Sequence, residues 1–378
     1  MKKFSKLAAL ALAATITLTG CATPKNGGGE TPAETPAETG SDKTKVAVVI
    51  NTNLGDKAFS DLVWSGVTRA SEDLDLEIKA FELLGDATKQ EPTLIELSES
   101  GEWDLIVSGT FNLKEATQAA ALEFPEQKYL VYDTQVDYDQ DDYSNVVSVM
   151  SKQNEGSFLA GALAAKLTSS GVEGTNEEKV IGFVGGGENS AINDFLVGYI
   201  EGAKYVDPEV KVLYSYIGDF TNTAKGKELA LAQYQQGADV VFAVAGAASL
   251  GALNASKDAG RLAIGVDQDH ALKLEESDPE TSKHIVTSVM KNLDVLLYDK
   301  ITEYKNGTIE WGKHLGAGLA ENGMSLADNK YYREIVPAEI ITEIEGITEK
   351  IKSGEIKVST AIGMSTEEVN AIKEKAGK

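Results

Sequence analysis

Cysteine is almost missing: Cys21 stands alone in 378 residues, so the chain can form no internal disulfide, no cysteine-ligated zinc site and no dithiol redox centre. Histidine is nearly as scarce, and His270, His284 and His314 lack the spacing of metal ligands. Basic charge is in deficit, with 35 Lys and Arg against 59 Asp and Glu and a formal net charge of −24. A surface this acidic repels phosphate backbones, which argues against a nucleic-acid partner. No apolar run reaches the roughly 20 residues of a spanning helix. Also missing are a Walker sequence and a G-x-S-x-G elbow. Gly185-Gly186-Gly187 has Ser190 where a dinucleotide fingerprint needs its third glycine. No cofactor is expected, and no activated nucleophile or metal cluster points to an enzyme.

What is present begins with a positive start, Met1-Lys2-Lys3, and an apolar run over 7–18. Too short to span a bilayer, this reads as a secretory signal over 1–20. It ends in Leu18-Thr19-Gly20-Cys21, a pattern like a bacterial lipobox, in which Cys21 receives the lipid after cleavage. Loss of Lys2, Lys3 and Lys6 with the leader takes the formal charge from −24 to −27. Residues 22–43 are rich in Gly, Pro, Thr and Glu, repeat Thr-Pro-Ala-Glu at 31–34 and 35–38, and hold no aromatic or large aliphatic residue. Such a segment cannot offset the entropy of ordering, and as a coil it reaches roughly 25 Å. It is expected to be a tether (21–43 with the lipidated cysteine) that holds a soluble body outside the cytoplasm, on the outer face of the plasma membrane or in a periplasm.

The 42% hydrophobic content is ample for a large core, and residues 44–378 suggest two domains at about 150 residues each. Short β-branched runs predict strands at 46–50, 76–81, 105–107, 129–132, 146–149, 180–184, 210–216, 240–244 and 262–266. Amphipathic stretches between them, such as 59–74, 115–123, 156–167 and 225–236, predict helices. Two successive series of this kind mean two open α/β lobes, each with helices on both faces of a parallel sheet.

Ligands of such sheets bind beyond the strands' carboxyl ends. Five of the predicted strands run there into polar or glycine-rich loops: Asn51–Phe59, Asp133-Thr134, Gly185–Asn189 with Phe195 further on, Ala245–Ser249, and Asp267-Gln268-Asp269. The set points to one cleft. Asp133 and Asp267 fit two readings, a helix or turn cap and an acceptor for the vicinal hydroxyls of a sugar ring. Phe59 and Phe195 are either core residues at helix starts or two walls around a flat heterocycle. Lys291 follows Val286–Met290, a run that reads as a crossing between lobes and so brings the amine to the cleft. The three glycines at 185–187 are expected to let their loop turn tightly.

Several segments resemble the basic membrane lipoprotein family, substrate-binding proteins of ABC importers. They include Gly55-Asp56-Lys57-Ala58-Phe59-Ser60, Glu155-Gly156-Ser157-Phe158-Leu159-Ala160-Gly161, Ala224–Ala230, Gln236–Val240, Gly265-Val266-Asp267 and Thr287–Lys291. The resemblance runs from about residue 45 to 356. It implies a type I periplasmic-binding-protein fold: two Rossmann-like lobes joined by three crossovers, lobe 1 being 44–149 with 288–312 and lobe 2 being 150–287 with 313–378. It also implies a nucleoside ligand, a purine in the best-understood members, and an ABC permease as partner; the chain is expected to work as a monomer. Carried over residue by residue, Phe59 and Phe195 stack on the base, Asp56 meets the base edge, Asp133 lies at the ligand, Asp267 and Lys291 lie at the ribose, and Gly246 lets the backbone approach. The family's Asn-Asp-Lys-Ser-Phe-Asn is here Gly55-Asp-Lys-Ala-Phe-Ser60, so two amide side chains near the base edge are missing. A free sugar on the same fold, or a surface antigen without a transport role, are the alternatives.

Overall fold

The computed structural model describes residues 43–56 and 59–377. The expected leader, the lipobox Cys21, the tether as far as residue 42, and Lys57 and Ala58 lie outside the described residues. The strands are β1 Lys45–Ile50, β2 Glu77–Glu82, β3 Leu105–Gly109, β4 Tyr129–Tyr132, β5 Val146–Ser151, β6 Val180–Gly185, β7 Lys211–Tyr216, β8 Val240–Val244, β9 Leu262–Asp267, β10 Ile285–Lys291, β11 Lys313–Ala317 and β12 Met324–Leu326. The helices are α1 Phe59–Leu74, α2 Gln90–Ser100, α3 Thr110–Glu123, α4 Gln153–Thr168, α5 Ser190–Val206, α6 Thr223–Gln235, α7 Ser249–Ala259, α8 His270–Leu274, α9 Pro279–Ser282, α10 Leu293–Lys305, α11 Lys330–Ile335, α12 Ala338–Lys352 and α13 Thr366–Ala376.

Two six-stranded sheets result, ordered β11-β5-β4-β3-β1-β2 and β12-β10-β9-β8-β6-β7. Every pairing is parallel except that of β10 with β12. Helices cover both faces, which is why the central strands β3, β4, β6, β8 and β9 are buried along their whole length and read as unbroken apolar runs. The edge strands β2 and β7 are only partly covered and carry Glu77, Lys79, Glu82 and Lys211, charges that discourage pairing with another chain. Strand order reverses beside β1 in the first sheet and beside β6 in the second. Those switch points open crevices at the carboxyl ends of β1 and β6.

The chain leaves the first sheet after β5, returns after β10 and leaves again after β11. These points correct the expected lobe boundaries. β10 pairs with β9 as far as Met290, and β11 pairs with β5 from Lys313 to Ala317. Residues 288–291 therefore belong to the second sheet and 313–317 to the first, because each strand completes its ladder before the chain crosses.

The second lobe is drawn together by α4 and α5. A Cβ at Gly202 would stand 1.9 Å from the Phe158 carbonyl oxygen, and one at Gly198 2.2 Å from that of Asn154. The segment Glu155–Gly161 is thus a packing signature in which two backbones touch. After α12, the Asn154 amide donates to the Val358 and Ser359 carbonyls, and Asp194 accepts from Thr360 Oγ1 and the Ala361 N–H, both at 2.7 Å. Those bonds tie the carboxyl-terminal segment to this lobe. Among the described residues no helix is long and apolar enough to cross a membrane.

Candidate functional site

A cavity of about 670 Å³ lies at the carboxyl ends of the strands and draws its walls from both lobes. All seven residues singled out from the sequence, Asp56, Phe59, Asp133, Phe195, Gly246, Asp267 and Lys291, line it.

From the first lobe, Phe59 opens α1 and is half-buried, 6.2 Å from the Tyr132 ring at a tilt of 43°. Asp56, a cavity-wall residue, also shapes the backbone beside it. Its two carboxylate oxygens accept from the Ser60 N–H (2.9 Å) and the Asp61 N–H (3.2 Å). Two of the orphan donors at the start of α1 are thereby satisfied. The capping role considered for Asp133 and Asp267 does not apply to either. Asp133 pairs with Lys291, and the cap of α8 is Asp269, which accepts from the Leu272 N–H at 3.1 Å. Both Asp133 (φ +54°) and Asp267 (φ +67°) hold left-handed backbone conformations just where β4 and β9 end. Aspartate tolerates that region better than most residues, at some cost.

Lys291 ends β10 with its side chain only 3% exposed. Its ammonium is ion-paired with Asp133 and lies 5.3 Å from the centroid of Phe59 and 5.6 Å from that of Phe195. One cation thus touches two rings from different lobes, and the sum of those distances caps the gap between the rings. Carboxylate and ring faces together offset the desolvation of the amine. Asp267 is 7% exposed and has no hydrogen bond to its carboxyl group among the described residues. Burial pushes its pKa up to about 7; Lys291 opposes that rise, while Asp133 and Asp56 add to it. Among the described residues no cluster of His, Cys, Asp or Glu suits a metal ion.

The sequence reading missed two features. Phe220, in the loop between β7 and α6, is half-buried and lines the cavity. Its ring lies on the glycine loop, where a Cβ at Gly186 would stand 2.4 Å from ring carbons. None of Gly185, Gly186 and Gly187 has a positive φ; the chain bends over 186–189, and Gly186, with Gly187 beside it, also leaves the room that the Phe220 ring fills. Gly246, by contrast, has φ +54° and needs its glycine for conformation. Phe195 is 3% exposed and packs edge-on against Phe242 (6.2 Å, 65°) in the core of the second lobe, so it forms the floor of the cavity rather than a free wall. Phe220 offers that lobe's more exposed aromatic surface. The only hint in the sequence is its place just ahead of the Ala224–Ala230 segment. The second feature is the strand-end residue Thr110 with Phe111 and Asn112, all lining residues.

A family model described as "Bmp: ABC transporter substrate-binding protein PnrA-like" matches residues 43–361. Among curated relatives, the ABC transporter nucleoside-binding protein BmpA of Lactococcus lactis is 30% identical over 354 residues, 89% of this chain and 94% of that protein. Basic membrane protein A of Borreliella burgdorferi is 29% identical over 323 residues, covering 84% and 88%. Among solved structures, an ABC transporter solute-binding protein from Aeropyrum pernix superposes with a TM-score of 0.77 at 26% identity, covering 88% of this chain and 98% of the other. It carries the same two-lobed type I periplasmic-binding-protein fold.

Proposed function

This chain belongs to the Bmp family, the PnrA-like ABC transporter substrate-binding proteins, and on that premise we propose that its interlobe cavity takes a nucleoside, preferably a purine nucleoside, and delivers it to an ABC permease. One observation carries the reading. A single cavity of about 670 Å³ holds aromatic rings from both lobes and the cluster Asp133, Lys291 and Asp267. The volume is in the range of small-molecule sites, about 300–1,000 Å³.

A base between Phe59 and Phe220, over the floor of Phe195, gains about 1–3 kcal/mol per stacking contact. The hydroxyls of a pentose donate to Asp133 and Asp267, and Lys291 supplies a donor between the two acids. Because the walls come from different lobes, the ligand bridges them. Hinge closure across the three crossings then follows from contacts made only in the closed state. The name of the Lactococcus relative supports a nucleoside as cargo. The lipobox at Cys21 and the tether behind it support a lipid-anchored protein on the outer face of the plasma membrane.

The test is mass spectrometry of small molecules released when the purified protein is denatured. A nucleoside in the released fraction is expected. A retained free sugar with no base attached would overturn the proposal.

A further inference from the structure

Six non-glycine residues have a positive φ among the described residues, and three of them line the cavity: Asp133, Asp267 and Thr110. Each stands where a strand ends, at β4, β9 and β3. The two acids belong to the charged cluster; Thr110 has no assigned role. Its φ of +68° is the more unusual because threonine is β-branched, and such side chains rarely enter the left-handed region. Thr110 Oγ1 is also shut off from solvent without a hydrogen-bond partner. Among the described residues it is the only such orphaned atom on a cavity-lining residue. Two separate costs, a strained backbone and an unmade hydrogen bond, therefore meet at one residue of the wall. Strain of that kind gathers at ligand clamps, and an unsatisfied buried group calls for an explanation.

Strand register gives the position. Gly109 is paired beside Tyr132, which puts Thr110 one step on, beside Asp133. On its other flank β3 pairs with β1, the strand that leads into the loop carrying Asp56 and Phe59. The residue lies between the acid that holds Lys291 and the loop that carries Asp56 and Phe59.

We propose that Thr110 is a specificity-determining ligand contact: a turn about its Cα–Cβ bond brings Oγ1 into the cavity, where it bonds a polar atom on the edge of the ligand's ring. The chain thereby prefers bases with a hydrogen-bonding group at that place over those with a C–H. This inference rests on the reading of the cavity as a nucleoside site.

The test titrates guanosine, inosine and adenosine calorimetrically into the ligand-free wild-type protein and into Thr110→Val and Thr110→Ser. Valine keeps the β-branched shape and its strain while removing the hydroxyl; serine keeps the hydroxyl. Thr110→Val is expected to weaken the best-bound of the three about tenfold and to narrow the differences among them, while Thr110→Ser stays within about threefold of wild type. The ligand-free Thr110→Val protein is expected to melt no lower than wild type, because an unpaired buried hydroxyl is gone. Wild-type affinity in Thr110→Val, or equal losses in both variants, overturns the role of the hydroxyl while leaving the nucleoside site standing. If the wild-type protein binds none of the three, the nucleoside reading fails and this inference fails with it.

Discussion

Exchanging phenylalanine for alanine at 220 and at 195 separates a ligand wall from a core residue. Phe220 is half-buried, and its ring covers Gly186 and the cavity. Its removal leaves the second-lobe core intact, so the cost to stability is about 1 kcal/mol, a fraction of a full aromatic burial. Loss of one stacking face costs about 1–3 kcal/mol in binding, which is roughly 5- to 150-fold in Kd. Phe195 reverses the balance. At 3% exposure and packed against Phe242, its truncation opens a cavity in the core and costs about 3–5 kcal/mol of folding stability. The assay pairs urea melts of the ligand-free proteins with calorimetric titration of guanosine. Phe220→Ala is expected to bind weakly and fold well, and Phe195→Ala to fold poorly. Wild-type affinity in Phe220→Ala, with a large affinity loss confined to Phe195→Ala at near-normal stability, would refute the assignment of the walls.

Further outcomes follow from the charges. A carboxylate that accepts from sugar hydroxyls binds best ionised, and Asp267 titrates at about 7 in the ligand-free protein. Affinity should therefore fall as pH drops through 7, by up to tenfold per unit, with Asp267→Asn removing the dependence; a flat profile between pH 6 and 8 contradicts this. For stability the sign is opposite. The folded-state pKa is raised, so the contribution of Asp267 is full below the ordinary carboxylate range and is lost as pH rises through about 7. Lys291→Met breaks a buried ion pair and leaves Asp133 uncompensated, for a loss of about 3–5 kcal/mol. Thermal melts at pH 7 check that loss, and a melting temperature equal to that of the wild type would contradict it. Nucleoside monophosphates should bind at least tenfold more weakly than nucleosides, because a phosphate enters a cavity that, among the described residues, is lined by three carboxylates and one lysine. Equal affinities by calorimetry would show that the charge argument is wrong.

Much of the fold was legible because strands buried on both faces are written as short, mostly apolar runs; Val240–Val244 and Leu262–Asp267 are buried throughout. The loops after those strands were legible for the same reason. Where the sequence misled, the deciding contact was distant. α3 begins at Thr110, five residues before the predicted start, since Gly109-Thr110-Phe111-Asn112 has no helical periodicity. Phe195 was open between a core residue and a wall, and it is both buried with Ile192, Leu196 and Tyr199 along α5 and a lining residue of the cavity. Phe220 has no periodic context, and its position depends on glycines some 34 residues earlier in the chain, on the loop after β6. The lobe boundaries moved because β10 and β11 finish their ladders before crossing, which no local pattern announces.

Calorimetric titration of unfolded and refolded, ligand-free protein with guanosine, free guanine and free ribose tests the central claim most directly. On the proposed reading, stacking rings and sugar-binding acids act on one ligand, so guanosine should bind orders of magnitude more tightly than either fragment. Ribose binding as tightly as guanosine, or no heat from guanosine at all, would contradict it.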